Sequence, residues 1–233
     1  MRHALEIGFF LYVPRFLAWA FQQVPNLSSP FYDPMAPFSQ RSEGPDPLLS
    51  VIYVWGAVLG TNEVQRRRQS SYLVKALQDL RGAERRNLAA RFGGSESRLD
   101  VVRLIQSHVL LAHYFFTNAQ FREGRQHTAD AVSLVVLYQL HKIRSPRAPD
   151  TSKAHLVRAA VNDWALPPPV DLIEEGERTH AFWHVYILDK IWASLLGCPS
   201  LLVEDGSPAT EIDTPWPLAL GQYADVSGNS SLL

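Results

Sequence analysis

Helical periodicity constrains this chain more than any other feature of its sequence. Apolar residues recur at intervals of three and four in five segments, which cover residues 47–59, 71–90, 99–117, 121–140 and 172–196. This spacing places apolar side chains on one face of an α-helix, where they can pack against a core. No segment shows the alternation of apolar and polar residues that is typical of a β-strand. The sequence therefore predicts an all-α fold, an irregular multi-helix bundle.

Residues that start or stop helices mark where these segments begin and end. Pro47 suits a first helical turn, and Gly60 and Gly197 suit helix ends. The short link Thr117-Asn118 joins two helical segments, so we expect an antiparallel helical hairpin there. The N-terminal residues 25–46 and the C-terminal residues 203–233 are rich in Pro, Ser, Gly and Asp, and we expect coil in both.

Composition narrows the class of protein. Hydrophobic residues make up 46% of the chain and charged residues 19%, with a net charge of -1, which indicates a folded domain without a global basic field for nucleic acid. The one cysteine, Cys198, excludes an internal disulfide and a cysteine-rich zinc module within this chain.

The apolar residues 7–21 are interrupted by Pro14 and Arg15, and a spanning helix needs roughly 20 apolar residues. We therefore expect no membrane association; a signal peptide is the weaker alternative.

Charge is unevenly distributed along the chain. Residues 66–98 carry nine basic and three acidic side chains, whereas residues 171–213 carry two basic and nine acidic ones. Such runs are usually solvated helix faces. The alternative is a contact surface, for which the compact run Arg66, Arg67, Arg68 is the candidate. Because this run lies in no helix-turn-helix context, we interpret it as a partner surface rather than a DNA reader.

Motifs for catalysis and metal binding are missing from the sequence. There is no nucleophile elbow and no glycine-rich phosphate loop. His180 and His184 have the spacing that lets two imidazoles share a metal ion, but the HExxH motif needs Glu at position 181, which is Ala181. His108 and His113 are five positions apart and lie on different helix faces. We predict no catalytic, cofactor-binding or metal-binding residue in this chain.

Asp189 is the most informative polar residue. At about 100° per residue it shares a helix face with Phe182, Val185, Trp192 and Leu196. A carboxylate on an apolar face is costly unless it is paired and hydrogen-bonded. We therefore predict that Asp189 meets a cation or several donors from another helix and serves as a structural polar anchor; contact with a ligand is the alternative.

Six stretches in a fixed order resemble a known family. They read EIGFFLYVPRF (6–16), PLLSVIYVWG (47–56), VLLAHYFFTNAQFREGRQHTADAVSL (109–134), LHKI (140–143), EEGERTHAFWHVYILDKIWASLLGCPS (174–200) and IDTPWP (212–217). In this order and spacing they resemble the fungal-specific transcription factor domain, the middle homology region of fungal zinc-cluster regulators. The resemblance covers roughly residues 5–218 and implies an all-α regulatory domain of a nuclear transcription regulator.

The resemblance also implies features that this chain departs from. In such regulators an N-terminal six-cysteine binuclear zinc cluster reads DNA, usually from a dimer, and one cysteine cannot build that cluster. We expect zinc only in a full-length relative, and DNA contact only through a zinc cluster missing from this chain. Residues 1–218 are then a single regulatory domain, truncated at its C-terminus, and residues 219–233 a disordered tail. A truncated gene model, a fragment and a natural form without the DNA reader all remain open.

Three functional hypotheses follow. The first is a regulatory domain that controls transcription in the nucleus by binding a small-molecule effector or a protein partner of the transcription machinery. The second is a helical protein–protein adaptor without DNA function. The third, an α-helical enzyme, would use His180 and His184 with Glu177; we favour a non-enzymatic module. A homodimer is compatible with the first two.

Overall fold

The computed structural model describes residues 6–23, 46–61, 63–91, 101–143, 166–207 and 210–229. All regular secondary structure in these residues is helical, so the all-α prediction is confirmed. The chain divides into two compact units, one of residues 13–107 and one of residues 1–12 with 108–233. The coil predicted for residues 25–45 and the final residues 230–233 lie outside the described part of the chain.

The first unit, residues 13–107, is built on a pair of packed helices. Its helices are α1 (Val13–Gln23), α2 (Pro47–Leu59), α3 (Glu63–Arg67), α4 (Gln69–Arg91) and the first turns of α5 (Val101–Thr117). The α2 helix packs along α4. Asp46 caps α2 by accepting a hydrogen bond of 2.9 Å from the backbone N–H of Leu48. The buried apolar side chains of this pair form the core of the unit: Leu48, Val51, Val54, Trp55, Ala76, Leu80 and Ala83.

The second unit contains the rest of α5, α6 (Phe121–Leu137), a 3-10 turn (Leu140–Lys142), α7 (Leu172–Leu196) and α8 (Leu220–Asn229). The chain reverses between α5 and α6 at Ala119, which has the left-handed φ of 57°. Phe116 packs so closely on Gly124 that a Cβ at position 124 would lie 2.6 Å from its ring. These contacts form the antiparallel hairpin that the short link predicts.

Local signals fix both ends of α7. The carboxylate of Asp171 accepts a hydrogen bond of 2.8 Å from the backbone N–H of Glu174 at the N-terminus. Gly197 ends the helix with a left-handed φ of 62°, a conformation that L side chains rarely adopt. The predicted limits, residues 172–196, are therefore confirmed.

Two predicted boundaries are wrong, and both are overridden by contacts with distant residues. The α6 helix ends at Leu137 rather than residue 140, because Gln139 takes a φ of 56° and the carbonyls of the 3-10 turn accept hydrogen bonds from residues 213 and 214. The predicted C-terminal coil contains α8, so the tail is not coil throughout. Tyr223 of α8 packs on α7 at Gly176, where a Cβ would lie 2.7 Å from its ring.

Candidate functional site: a cleft beside a buried carboxylate

Asp189 lies in α7 at the centre of a hydrogen-bonded cluster. Its side chain is fully buried, and Oδ1 is 3.1 Å from the guanidinium Nη1 of Arg125 on α6. Oδ2 accepts hydrogen bonds from the Ser200 hydroxyl at 2.5 Å and from the backbone N–H groups of Leu201 and Leu202, both at 2.9 Å. Arg125 is the cation from another helix that the sequence analysis expects, whereas the other donors come from the segment that follows α7; the role of Asp189 as an anchor stays a prediction.

These contacts keep Asp189 ionised. Burial by itself raises the pKa of a carboxyl group. The hydrogen bonds from Leu202, Ser200 and Leu201, together with the charge of Arg125, outweigh burial and hold the pKa of Asp189 below its ordinary value. The chain therefore carries a buried negative charge whose partners come from α6 and from the segment after α7.

The segment after α7 is fastened to that helix by a second set of contacts. Lys190 donates to the Leu202 carbonyl at 2.8 Å and forms an ion pair of 2.8 Å with Glu204. Tyr186, one turn earlier, donates its hydroxyl to Glu204 at 3.0 Å. The hydrogen bond from Lys190 lowers the pKa of Glu204. Residues 199–204 therefore follow α7 as an ordered strip rather than as a free loop.

A second strip, residues 210–216, is hydrogen-bonded to the 3-10 turn and to α7. The backbone N–H of Asp213 donates to the backbone carbonyl of His141 at 2.8 Å, and the Thr214 hydroxyl donates to the backbone carbonyl of Leu140 at 2.6 Å. The indole N–H of Trp183 donates to the Pro215 carbonyl at 2.7 Å, and its ring stacks on Trp216 with centroids 4.2 Å apart. The IDTPWP stretch is therefore tied to both the 3-10 turn and α7.

An apolar cleft lies between these elements. Its volume is about 180 Å³, and its walls come from Val136 of α6, Phe182 of α7, His141 of the 3-10 turn and residues 201–204, 210 and 212. Val136 and Val203 are exposed at its mouth, at 46% and 60% of their full areas. Leu201 and Leu202 form part of the wall, and their backbone N–H groups bind Asp189, so the buried carboxylate fixes that wall.

His180 and His184 each use one ring nitrogen in a hydrogen bond to a backbone carbonyl. The ring of His180 donates to the Leu218 carbonyl at 2.7 Å, and Nδ1 of His184 donates to the carbonyl of His180 at 2.9 Å. Burial lowers the pKa of both rings, that of His184 to about 4. Both are therefore neutral at pH 7 and are used in the structure as hydrogen-bond donors.

The remaining sequence candidates are not among the residues that line the cleft. Arg66, Arg67 and Arg68 are exposed; Arg67 pairs with Glu63 at 3.3 Å, and Arg66 donates to the Gly60 carbonyl at the end of α2. Cys198 is half-buried, and its backbone N–H donates to Ala193. The part played by the three arginines in partner binding stays a prediction.

Sequence reasoning missed a group of residues, all within the described part of the chain, that could hold a metal ion. His108, His127 and Asp130 bring one ligand atom each within 4.8 Å of one another. The signal was available in part, because His127 and Asp130 are three apart on a predicted helix and His108 lies on the helix paired with it by the predicted hairpin. The register of the two helices, which brings His108 to His127, needs the structure.

Comparison with known proteins identifies the family. A family model described as the fungal specific transcription factor domain matches residues 11–222 of this chain. Comparisons with curated proteins and with solved structures gave no match. None of the described helices is both long and apolar enough to cross a membrane. Because the family model spans most of the 233 residues, the chain belongs to the fungal-specific transcription factor domain family, a family of regulatory rather than enzymatic domains.

Proposed function

We propose that this chain is a regulatory module of a nuclear transcription regulator and that it acts by binding a protein partner at the cleft. The observation that carries the proposal is the cleft itself, an apolar depression with exposed valines at its mouth and a wall fixed by Asp189. The family membership supports the regulatory role and the nuclear location. The proposal assigns no catalytic role to the chain.

The size of the cleft favours a protein partner over a metabolite. Sites for small-molecule ligands commonly have volumes of about 300–1,000 Å³. The cleft, at about 180 Å³, is closer to the roughly 150 Å³ of an apolar cavity that accepts one benzene ring. It therefore has room for one large apolar side chain, the kind of anchor that a helix or loop of a partner presents.

Charge around the cleft defines the partner further. Acidic residues stand next to its walls: Asp205, Glu211 and Asp213 are exposed beside the lining residues 204, 210 and 212. Hydrogen bonds from Thr210 and Ser207 lower the pKa of Asp205 to about 2, so this carboxylate is ionised at neutral pH. A basic segment with one large apolar residue is the complementary partner, because opposite charge speeds encounter and orients docking.

A reporter experiment tests this function. The chain is fused to a heterologous DNA-binding domain in a fungal host, and transcription of a reporter gene is measured for the wild type, Val203→Arg and Val136→Arg. Either arginine adds a positive charge at the mouth of the cleft and repels a basic partner, so the regulatory effect of the chain should be lost. Val170→Arg is the matched control, since Val170 is 90% exposed and lies outside the cleft.

The proposal fails if both cleft variants are as abundant as the wild type and regulate the reporter equally well. Photo-crosslinking separates a protein partner from an effector. A photoreactive residue at position 203 should give a crosslinked protein adduct that the same residue at position 170 does not. If the reporter responds to the cleft variants and no such adduct forms, the effector hypothesis replaces the partner.

A further inference from the structure

We propose that the α5–α6 hairpin holds a divalent transition-metal ion, with zinc the best chemical match, between His108, His127 and Asp130. This site goes beyond the proposed function, because it uses residues away from the cleft and a ligand set unrelated to cysteine. The sequence analysis predicts no metal ligand in this chain, so the proposal also departs from that prediction.

Distances between the ligand atoms carry the proposal. Nδ1 of His108 is 3.2 Å from Nδ1 of His127 and 3.9 Å from Oδ2 of Asp130. Two ligand atoms at zinc distances of about 2.0–2.1 Å in a tetrahedral site are about 3.3–3.4 Å apart. The two imidazole nitrogens therefore already lie close to the required separation. The carboxylate oxygen must come about 0.5 Å nearer to His108, and its separation from His127, which is within 4.8 Å, must reach the same value of about 3.3–3.4 Å.

Neighbouring residues orient two of the three ligands, His127 and Asp130. His127 and Asp130 occupy neighbouring positions on one face of α6, three residues apart. The His127 ring stacks on Phe115 with centroids 5.3 Å apart and planes 3° apart, which sets its orientation. Gln126 donates a hydrogen bond of 3.0 Å to Oδ1 of Asp130, while Oδ2 is the oxygen nearer to His108. Such outer contacts are what hold metal ligands in place.

Burial and donor chemistry also suit a metal ion. His108 is 1% exposed, whereas the Asp130 side chain is 35% exposed, so the cluster is closed on one side and open to solvent on the other. Two imidazole nitrogens and one carboxylate oxygen are a ligand set that zinc accepts, with a fourth position left for water. A metal ion at this position would cross-link α5 to α6.

The competing arrangement is a hydrogen bond between the two imidazoles. A separation of 3.2 Å between two Nδ1 atoms also allows one ring to donate a proton to the other. In that case the proton lies between the two nitrogens that the metal ion would bind. The two arrangements exclude each other, so metal titration distinguishes them.

The test uses the full chain, purified and stripped of metal with a chelator. Isothermal titration with Zn²⁺ should give one ion per chain, and saturating Zn²⁺ should raise the thermal unfolding temperature. Asp130→Asn and His127→Ala should each weaken Zn²⁺ binding by at least about tenfold, since even outer-shell changes cost tenfold or more. Co²⁺ should bind in place of Zn²⁺ with the visible absorption of a four-coordinate site, and His127→Ala should abolish that absorption.

Controls separate the site from general effects of substitution. Ser133→Ala changes an exposed residue of the same helix, and His180→Gln removes another histidine; both should bind Zn²⁺ as the wild type does. Asp130 is partly exposed, so Asp130→Asn should keep the wild-type circular dichroism spectrum even if His127→Ala unfolds. The proposal is overturned if the wild type binds no stoichiometric Zn²⁺, or if Asp130→Asn binds it as tightly as Ser133→Ala. Neither result bears on the reporter experiment, which depends on the cleft.

Discussion

Asp189→Asn tests whether the buried carboxylate holds the second unit together. The amide has the shape of the carboxylate but no charge and one acceptor oxygen fewer. One side-chain atom that accepts from Leu201, Leu202 or Arg125 becomes an NH₂ group that faces donors. The substitution therefore leaves Arg125 without its counter-charge and at least one buried N–H without an acceptor.

The expected loss of stability follows from these contacts. Removing one partner of a buried ion pair costs about 3–5 kcal/mol. This range applies because Asp189 is 0% exposed and Arg125 only 22% exposed. With a urea m-value of about 3 kcal/mol per molar, the midpoint of unfolding should fall by about 1–1.7 M. A domain with 5–15 kcal/mol of total stability would keep a folded but clearly weakened structure.

Urea unfolding followed by far-UV circular dichroism measures this difference. Asp225→Asn is the matched control, because Asp225 is an exposed carboxylate on α8. If the two variants unfold at the same urea concentration, Asp189 is not an anchor.

A pH series adds a second criterion for the role of Asp189. The folded-state pKa of Asp189 is depressed, so its contribution to stability is present above the usual carboxyl range and is lost as pH falls through that folded-state pKa. The gap between wild type and Asp189→Asn should therefore close in acid.

Two further predictions concern glycine contacts and histidine titration. Gly124→Ala should destabilise the chain by about 1–3 kcal/mol, because the added Cβ would meet the Phe116 ring; Gly56→Ala, with nothing within 4 Å, should stabilise α2 by about 0.5–1 kcal/mol. Equal shifts of the unfolding midpoint in the two variants would contradict this reasoning. Because burial lowers the pKa of His184 to about 4 from 6.5, the unfolded chain binds more protons between these values. Stability should therefore decline as pH falls from about 6.5 to 4, and His184→Gln should show a shallower decline in thermal melts over that interval.

Local signals in the sequence were enough to predict α7. An acidic N-cap, a left-handed glycine and a continuous apolar face all belong to neighbouring residues, so both limits of the helix are correct. The same periodicity places Asp189 on the buried face. It could not reveal which groups meet the carboxylate, because Arg125 lies 64 positions away and the backbone donors follow the helix end. Contacts between distant residues depend on tertiary packing.

The two errors have the same origin. The polar composition of the C-terminus predicts coil, but α8 forms because Tyr223 packs against Gly176 of α7. The end of α6 is set by residues 213 and 214, which bind the carbonyls of the 3-10 turn. In both cases tertiary contacts override local propensity. His108 and His127 likewise come together only through the register of the α5–α6 hairpin, although the spacing of His127 and Asp130 could have drawn attention to that face.

A single carboxyl group joins three parts of the chain, one of which is 64 positions away in sequence. Arg125 reaches Asp189 from one helix, the carboxylate belongs to another, and Leu201 and Leu202 approach it as the chain leaves that helix. Leu201 and Leu202 also line the cleft, so a displacement of that wall away from the helix has to stretch or break their hydrogen bonds to Asp189. The shape of the cleft therefore depends on a buried ion pair that none of its lining side chains forms.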